Sequence, residues 1–150
     1  MERREVLAEY IPAADHKAEL TLVFEWHGHP FKCRLDWYDN QDVWDLKTCR
    51  DASPRGFRAA INNFNYHMQA ALYVEGCRAS GLRADGFNFL AQEKTYPYPY
   101  GVYRLSDEAL EYAKARNEQA LDLLLRCKEQ DDFKPYNLEG IQTVELSDLY

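Results

Sequence analysis

The chain has 150 residues, of which 46% are hydrophobic, 14% aromatic and 29% charged, and its formal net charge is −7. This composition describes one folded domain and excludes a linker, a disordered tail or a repeat array. No run approaches the roughly 18 apolar residues of a membrane helix, and the charged start lacks the apolar stretch of a signal peptide, so a cytoplasmic protein that does not bind membranes is expected.

The first part of the chain has the alternation of a β-meander. Apolar residues alternate with polar ones over residues 19–26 and, after a turn at 27–30, over residues 31–37. A second turn at 39–41 leads to a third β-rich run at 43–48. The positions expected to face inward are Leu20, Leu22, Phe24, Trp26, Phe31, Cys33, Leu35 and Trp37.

One long helix is predicted next. Ser53 supplies an N-cap, Pro54 suits the first helical position, and Gly76 predicts the end. Its apolar stripe is expected to comprise Phe57, Ile61, Phe64, Met68, Ala71 and Leu72.

Two more strands are predicted at residues 87–93 and 100–105, and Ser106 then caps a second helix that ends near Lys128. The order β-β-β-α-β-β-α describes an α/β fold with a mixed sheet flanked by helices. We expect one domain with an acidic C-terminal tail at residues 129–150. The inward positions of the second helix are expected to be Leu110, Ala113, Ala120, Leu121, Leu124 and Cys127.

Asp36 and the tripeptide Asp45-Leu46-Lys47 form the sharpest chemical pattern. Side chains two apart on a strand share a face, so Asp45 and Lys47 point to one polar side and Leu46 to the core. If the turn is centred on residues 40–41, the numbers of paired residues sum to 81 and Asp36 lies across from Asp45. Two carboxylates placed in this way repel each other unless a cation lies between them.

Carboxylates of Asp36 and Asp45, with the backbone carbonyl of Leu46, are the oxygen ligands that Mg²⁺ or Mn²⁺ prefers. Lys47 would then orient or help to deprotonate the attacking water and offset charge at phosphorus during phosphodiester hydrolysis. The alternative that the residues leave open is a solvated strand face, on which the aspartates pair with Arg34 and Lys47.

Residues 32–37, 45–48, 51–54 and 66–73 together resemble the exodeoxyribonuclease VIII type of the PD-(D/E)XK nuclease superfamily, in its RecB-like branch. Residues 92–94 and 99–103 resemble the strand pair that follows, so the similarity covers about residues 19–128. The resemblance implies a restriction-endonuclease-like core. It also implies magnesium-dependent hydrolysis of linear duplex DNA from its ends, in phage-type recombination beside a single-strand annealing protein.

The resemblance also implies residue roles. Asp36 and Asp45 would be metal ligands, Lys47 the catalytic lysine, and Gln69 and Tyr73 the Q-x-x-x-Y pair near the scissile strand. The i, i+4 spacing of that pair independently places both on one helix face. The alternative for the pair is an ordinary helix surface with a half-buried tyrosine.

The sequence departs from the family pattern in two ways. Leu35 replaces the proline of the first motif, and only about 19 residues precede the first predicted strand, where relatives usually carry a helical segment that contributes to the metal site. His16, Glu9 or Glu19 would have to substitute for that upstream ligand. The alternatives are therefore a catalytically weak or inactive DNA-binding accessory protein, a fragment of a longer protein, or a site completed by a partner chain.

The charge distribution is compatible with DNA despite the acidic total. Residues 47–104 carry eight basic and four acidic side chains, whereas residues 129–150 carry one basic and six acidic side chains. Arg50, Arg55 and Arg58, near the start of the long helix, are expected to contact the DNA backbone, with a solvated helix face as the alternative. A homo-oligomer, such as a ring around DNA, stays open. The four cysteines form no C-x-x-C pair, which predicts reduced thiols and excludes zinc and iron–sulfur centres.

Overall fold

The computed structural model describes residues 16–134, 140–141, 143–145 and 147. The chain divides into two compact units, residues 1–117 and 118–150, and the sheet lies entirely within the first. Part of the predicted acidic tail, residues 135–139, 142, 146 and 148–150, lies outside the described residues.

Five strands form one mixed sheet in the order β1-β2-β3-β4-β5. Neighbouring strands are antiparallel except for β3 and β4, which pair in parallel over their whole length. The predicted mixed sheet with flanking helices is therefore confirmed. The strands are β1 (Lys17–Trp26), β2 (His29–Tyr38), β3 (Asp42–Cys49), β4 (Gly86–Glu93) and β5 (Tyr100–Arg104).

Residues 16–134 contain three helices where the sequence predicted two. They are α1 (Pro54–Asn63), α2 (Tyr66–Ala79) and α3 (Asp107–Gln130). The start of α1 is as predicted, because the Ser53 hydroxyl accepts a hydrogen bond from the Gly56 N–H at 3.2 Å.

The prediction of one continuous helix is wrong, because the backbone breaks at Phe64 and Asn65. Asn65 has φ 53° and ψ 36°, a left-handed conformation that asparagine tolerates better than most residues. Gly76 does not end the helix. It is buried inside α2, where an added Cβ would lie 2.7 Å from the Phe24 ring, so close packing on β1 requires a glycine there.

The main core lies between the helices and the sheet. Phe57 of α1 stacks on Tyr103 at 4.9 Å and meets Phe89 edge-on at 5.6 Å, both measured between ring centroids. Among the described residues, the largest fully buried side chains are Phe57, Phe87, Phe89, Leu35, Val43 and Cys77. A smaller cluster of Trp44 and Leu90 is packed against Trp37, Leu46, Tyr100 and Val102.

Along β2, the alternation of buried and less buried side chains shifts by one residue beside Asp36. Cys33 and Leu35 are buried two residues apart, but the next buried residue is Tyr38, three further on. Glu19, at the matching position of β1, has φ 54°, and its neighbours Ala18 and Leu20 still pair with Trp37 and Leu35. The prediction that Trp37 continues the inward stripe is therefore wrong: it joins the Trp44 cluster instead. Such irregularities re-aim side chains near functional sites.

Only some of the helix residues that were predicted to face inward are buried. Leu110 and Ala113 of α3 are buried, whereas Ala120 and Leu124, also expected to face inward, are exposed. Phe64 was expected on the apolar stripe and is 67% exposed. Of the helices that the structure describes, none has the length and apolarity to cross a membrane.

The two phenylalanines at either end of the α1 stripe give a matched test of this packing. Phe57→Ala should lower the free energy of unfolding by about 3–5 kcal/mol, because it removes the centre of the core. Phe64→Ala should cost less than about 1 kcal/mol, because its ring is mostly in solvent. Urea unfolding of both variants measures the difference, and equal costs would contradict the broken-helix arrangement.

Candidate active site

The site begins where β2 and β3 separate. Trp37 pairs with Trp44 and Tyr38 with Val43, which is the register that the sequence predicted. Beyond these pairs the Asp36 Oδ2 accepts a hydrogen bond from the Leu46 N–H at 2.9 Å. The Asp36 carboxylate thus takes the place of a backbone carbonyl of β2 as the acceptor for the Leu46 N–H. The same arrangement brings the negative charge of Asp36 near Asp45.

Asp45, Lys47 and Gln69 form one bonded group between β3 and α2. The Lys47 Nζ lies 2.6 Å from the Asp45 Oδ2 and donates a hydrogen bond to the Gln69 Oε1 at 3.0 Å. The Gln69 Nε2 donates to the Asp45 Oδ1 at 3.3 Å. Three of the residues predicted for the active site therefore converge, although they are separated by up to 24 positions along the chain.

This group is more enclosed than the sequence suggested. A polar strand face was expected for Asp45 and Lys47, but the Asp45 side chain is only 4% exposed and that of Lys47 17%. The solvated strand face that the residues left open as an alternative is therefore excluded, because Gln69 and Tyr66 of α2 cover this part of β3. Leu46 points the other way and packs with Trp44, as the strand period requires.

Tyr66 belongs to the site and was not predicted for it. The Lys47 Nζ lies 4.5 Å from the centroid of its ring, a cation–π contact that helps to hold the ammonium group in place. Tyr66 precedes Gln69 by three residues, so it lies on the same helix face. That spacing was the available signal, but the break before Tyr66 was not visible in the sequence.

The electrostatics of Asp45 are set by two opposing influences. Burial, with a smaller contribution from the Asp36 charge, raises the pKa of Asp45 above its ordinary value. The hydrogen bonds and charge of Lys47, and the Gln69 amide, act in the opposite direction but do not cancel the burial. Asp45 is therefore a carboxylate whose negative charge is only partly compensated within the described part of the chain.

The donor set of Asp36 and Asp45 fits a hard divalent cation. Both offer carboxylate oxygens, and the buried Asp45 Oδ2 has Lys47 as its charged neighbour but no geometrically complete hydrogen bond among the described residues. A magnesium ion typically uses one or two carboxylates and fills its remaining positions with water or phosphate. No cluster of three or more His, Cys, Asp or Glu suited to a metal occurs within residues 16–134 or the shorter described segments.

The residues considered as upstream ligands are engaged elsewhere where the structure describes them. His16 stacks on Trp37 with ring centroids 3.8 Å apart, and Glu19 pairs with Arg34 at 2.9 Å. Glu9 lies outside the described residues.

The other predicted residues lie around the site rather than in it. The Tyr73 ring lies one turn beyond Gln69 on α2 and contacts Phe87, with centroids 6.3 Å apart. Arg50, Arg55 and Arg58 are all exposed. Arg50 lines a cleft beside Tyr66, whereas Arg58 lines a separate depression near Tyr112.

The chain matches the model of one known protein family. Residues 2–146 match the PDDEXK-like domain of unknown function (DUF3799). The chain belongs to this family. The predicted PD-(D/E)XK fold is thereby confirmed, while the exodeoxyribonuclease VIII type stays a prediction.

One solved structure has a fold similar to that of this chain. A crystal structure from Eubacterium rectale, described as a proposed exonuclease, superposes with a TM-score of 0.70 and 19% identity over 97% of this chain. The chain spans only 59% of that protein. The protein SSO0001 has a TM-score of 0.39 and 13% identity over 78% of this chain and 55% of its own, which is too distant to carry an argument. No curated protein matches the chain.

The raised pKa of Asp45 predicts how stability depends on pH in the presence of chelator. The folded state holds the Asp45 proton more tightly than the unfolded state does, so ionisation costs stability as pH rises from about 3.9 to the folded pKa. Over that pH window, the free energy of unfolding of the wild type should therefore fall relative to that of Asp45→Asn. The fall should be about 1.4 kcal/mol for each pH unit by which the folded pKa exceeds the unfolded pKa. Above the window, the difference between the two proteins should stay constant.

Urea unfolding between about pH 3.5 and 8 measures this difference. Asp122→Asn, a change of the same type at an exposed position of α3, should follow the wild type throughout. A wild type that gains stability relative to Asp45→Asn as pH rises would show that Lys47 outweighs the burial.

Proposed function

We propose that this chain is a magnesium-dependent deoxyribonuclease that hydrolyses linear duplex DNA from its ends in the cytoplasm. The observation that carries the proposal is the contact of the Lys47 ammonium with both Asp45 and Gln69, beside the second carboxylate of Asp36, in a PDDEXK-like domain. An Asp-Asp-Lys group of this kind suits phosphodiester hydrolysis better than any redox or nucleophilic chemistry, because it contains no thiol, hydroxyl or histidine.

Asp36 and Asp45 would hold the metal, with the Leu46 carbonyl as a further oxygen ligand. Bound there, Mg²⁺ or Mn²⁺ would act as a Lewis acid on a phosphate oxygen and lower the pKa of water. The high pKa of Asp45 is consistent with this role, because a buried carboxylate that lacks full compensation gains most from a cation.

Lys47 and Gln69 would act on the reacting phosphate. Hydrolysis forms a bond from water oxygen to phosphorus and breaks the bond from phosphorus to the leaving sugar oxygen, which takes up a proton. The Lys47 ammonium, partly shielded from solvent, would stabilise the extra negative charge at phosphorus more strongly than it would in water. Gln69 holds both Lys47 and Asp45, so it would fix the distance between the ammonium and the metal site. Tyr73, one turn further along α2, would contact the DNA strand near the cleaved bond rather than the reacting atoms themselves.

An end-directed reaction is a further part of the proposal. The Eubacterium rectale structure is described as a proposed exonuclease, but it shares only 19% identity and extends well beyond the region matched here. A role in phage-type recombination, a single-strand annealing partner and a homo-oligomer are further parts of the proposal that follow from the resemblance to exodeoxyribonuclease VIII. Contacts of Arg50, Arg55 and Arg58 with the DNA backbone belong to it as well.

One observation favours a second function. Within the described residues only Asp36 and Asp45 offer carboxylates at the site, and no group of three metal-binding side chains is found there. A protein with so few ligands would hold its metal weakly, and it would then bind DNA as a weak or inactive accessory protein in recombination.

Cleavage of end-labelled DNA distinguishes the two functions. With Mg²⁺, the chain should degrade linear duplex DNA, spare covalently closed circles and stop when chelator is added. Lys47→Gln should lower the rate at least about 100-fold, because it removes the charge that stabilises the transition state but keeps a side chain of similar length.

Lys32→Gln is the matched control, because Lys32 is an exposed residue of β2 and its replacement should leave the rate unchanged. Circular dichroism establishes that both variants fold. Wild-type DNA that stays intact with either metal would favour the accessory function, and cleavage by Lys47→Gln at the wild-type rate would remove Lys47 from the mechanism.

A further inference from the structure

A cleft of about 350 Å³ opens beside the candidate active site. It lies where β3 and β4 end, between residues 48–51, Lys94 and one side of α1. Tyr66 connects it to the chemistry, because the same ring lines the cleft and contacts the Lys47 ammonium at 4.5 Å. Anything bound in the cleft would therefore lie one aromatic ring from the catalytic lysine.

The break between α1 and α2 gives this cleft an aromatic wall. On a continuous helix, side chains two residues apart point about 200° away from each other. The left-handed Asn65 instead brings Phe64 and Tyr66 to the same side, with ring centroids 5.5 Å apart and planes 28° apart. Unfavourable backbone conformations of this kind are concentrated at functional sites.

The Phe64 ring is not part of the core. Its side chain is 67% exposed, and its position at the end of α1 requires only the backbone N–H, which donates to the Ala60 carbonyl at 3.0 Å. An exposed ring beside a second ring is the arrangement on which nucleic-acid bases stack.

The rest of the cleft suits a phosphate backbone. Arg50 and Lys94 both line it, and neither has an ion-pair partner within the described part of the chain. Asp51 is the one acid among the lining residues, and its carboxylate accepts a hydrogen bond from the Ser53 N–H at 2.8 Å, which holds it at the start of α1. Small residues, Gly56, Ala59 and Ala60, line the α1 side of the cleft, so no large side chain from these positions fills it.

We infer that this cleft binds one unpaired nucleotide of the DNA strand next to the scissile phosphate. The base stacks on Phe64 and Tyr66, and the flanking phosphates lie against Arg50 and Lys94. The volume is near the lower limit of ligand pockets, about 300–1,000 Å³, which suits one nucleotide and excludes a duplex. The inference rests on the proposed function, because it assigns the cleft to the substrate of that reaction, and it implies that the duplex end opens before cleavage.

Binding of a fluorescent single-stranded oligothymidylate of about 12 nucleotides, measured by anisotropy in chelator, tests the inference without any cleavage. Phe64→Ala should weaken binding at least about fivefold, Phe64→Tyr should restore it, and Phe64→Leu should not, because leucine has no π-face to stack on. Phe133→Ala, which removes a ring of similar exposure in the second unit, should bind like the wild type.

The same titration at several salt concentrations tests the phosphate contacts. Lys94→Ala should reduce the salt dependence by about one phosphate contact, a slope change of about 0.7, whereas Lys128→Ala, an exposed lysine of α3, should not.

The outcomes separate this inference from the nuclease proposal. Loss of affinity in Phe64→Ala with rescue by tyrosine supports the cleft, even if wild-type DNA is not cleaved in Mg²⁺. Unchanged affinity in Phe64→Ala, equal rescue by leucine, or no measurable binding by the wild type overturns it, even if the wild type cleaves DNA.

Discussion

The buried ion pair of Asp45 and Lys47 is the interaction on which the site depends. Two charges taken out of water cost several kcal/mol each unless their geometry and hydrogen bonds compensate for the loss. Gln69 supplies part of that compensation by bonding to both groups, and the Tyr66 ring contacts the ammonium as well. This arrangement fixes α2 against β3, so the position of the helix and the chemistry of the site have the same origin.

Asp36 makes this pair more than a structural contact. A lone Asp–Lys pair would be nearly neutral, but Asp36 adds a second carboxylate charge that further raises the pKa of Asp45. Asp36 lies where the burial alternation of β2 is interrupted, beside Glu19. If β2 and β3 had continued to pair there, the Leu46 N–H would have donated to a backbone carbonyl instead of to Asp36. A fold selected for stability alone has no need of the additional negative charge, whereas a site for a divalent cation requires it.

Alternation and turn residues are local signals, and they predicted the strands and the register between β2 and β3. The placement of Gln69 near Asp45 and Lys47 was implied by the family resemblance instead. Three failures of the sequence prediction show what a local rule leaves out. Gly76 was interpreted as a helix end, although its role is to admit the Phe24 ring. Phe64 was assigned to the core because helix period cannot reveal a left-handed Asn65. The burial of Asp45 was not predicted, because a strand pattern does not show which helix will cover it.

The most direct test of the account is a crystal of the chain grown with Mn²⁺, with anomalous scattering used to locate the ion. The account predicts a peak between the carboxylates of Asp36 and Asp45 that disappears in Asp45→Asn. It also predicts that Lys47 stays in contact with Gln69. Crystals that bind Mn²⁺ elsewhere, or that show the Asp45–Lys47 pair intact with no ion beside it at saturating Mn²⁺, would contradict the claim that this pair belongs to a metal-dependent active site.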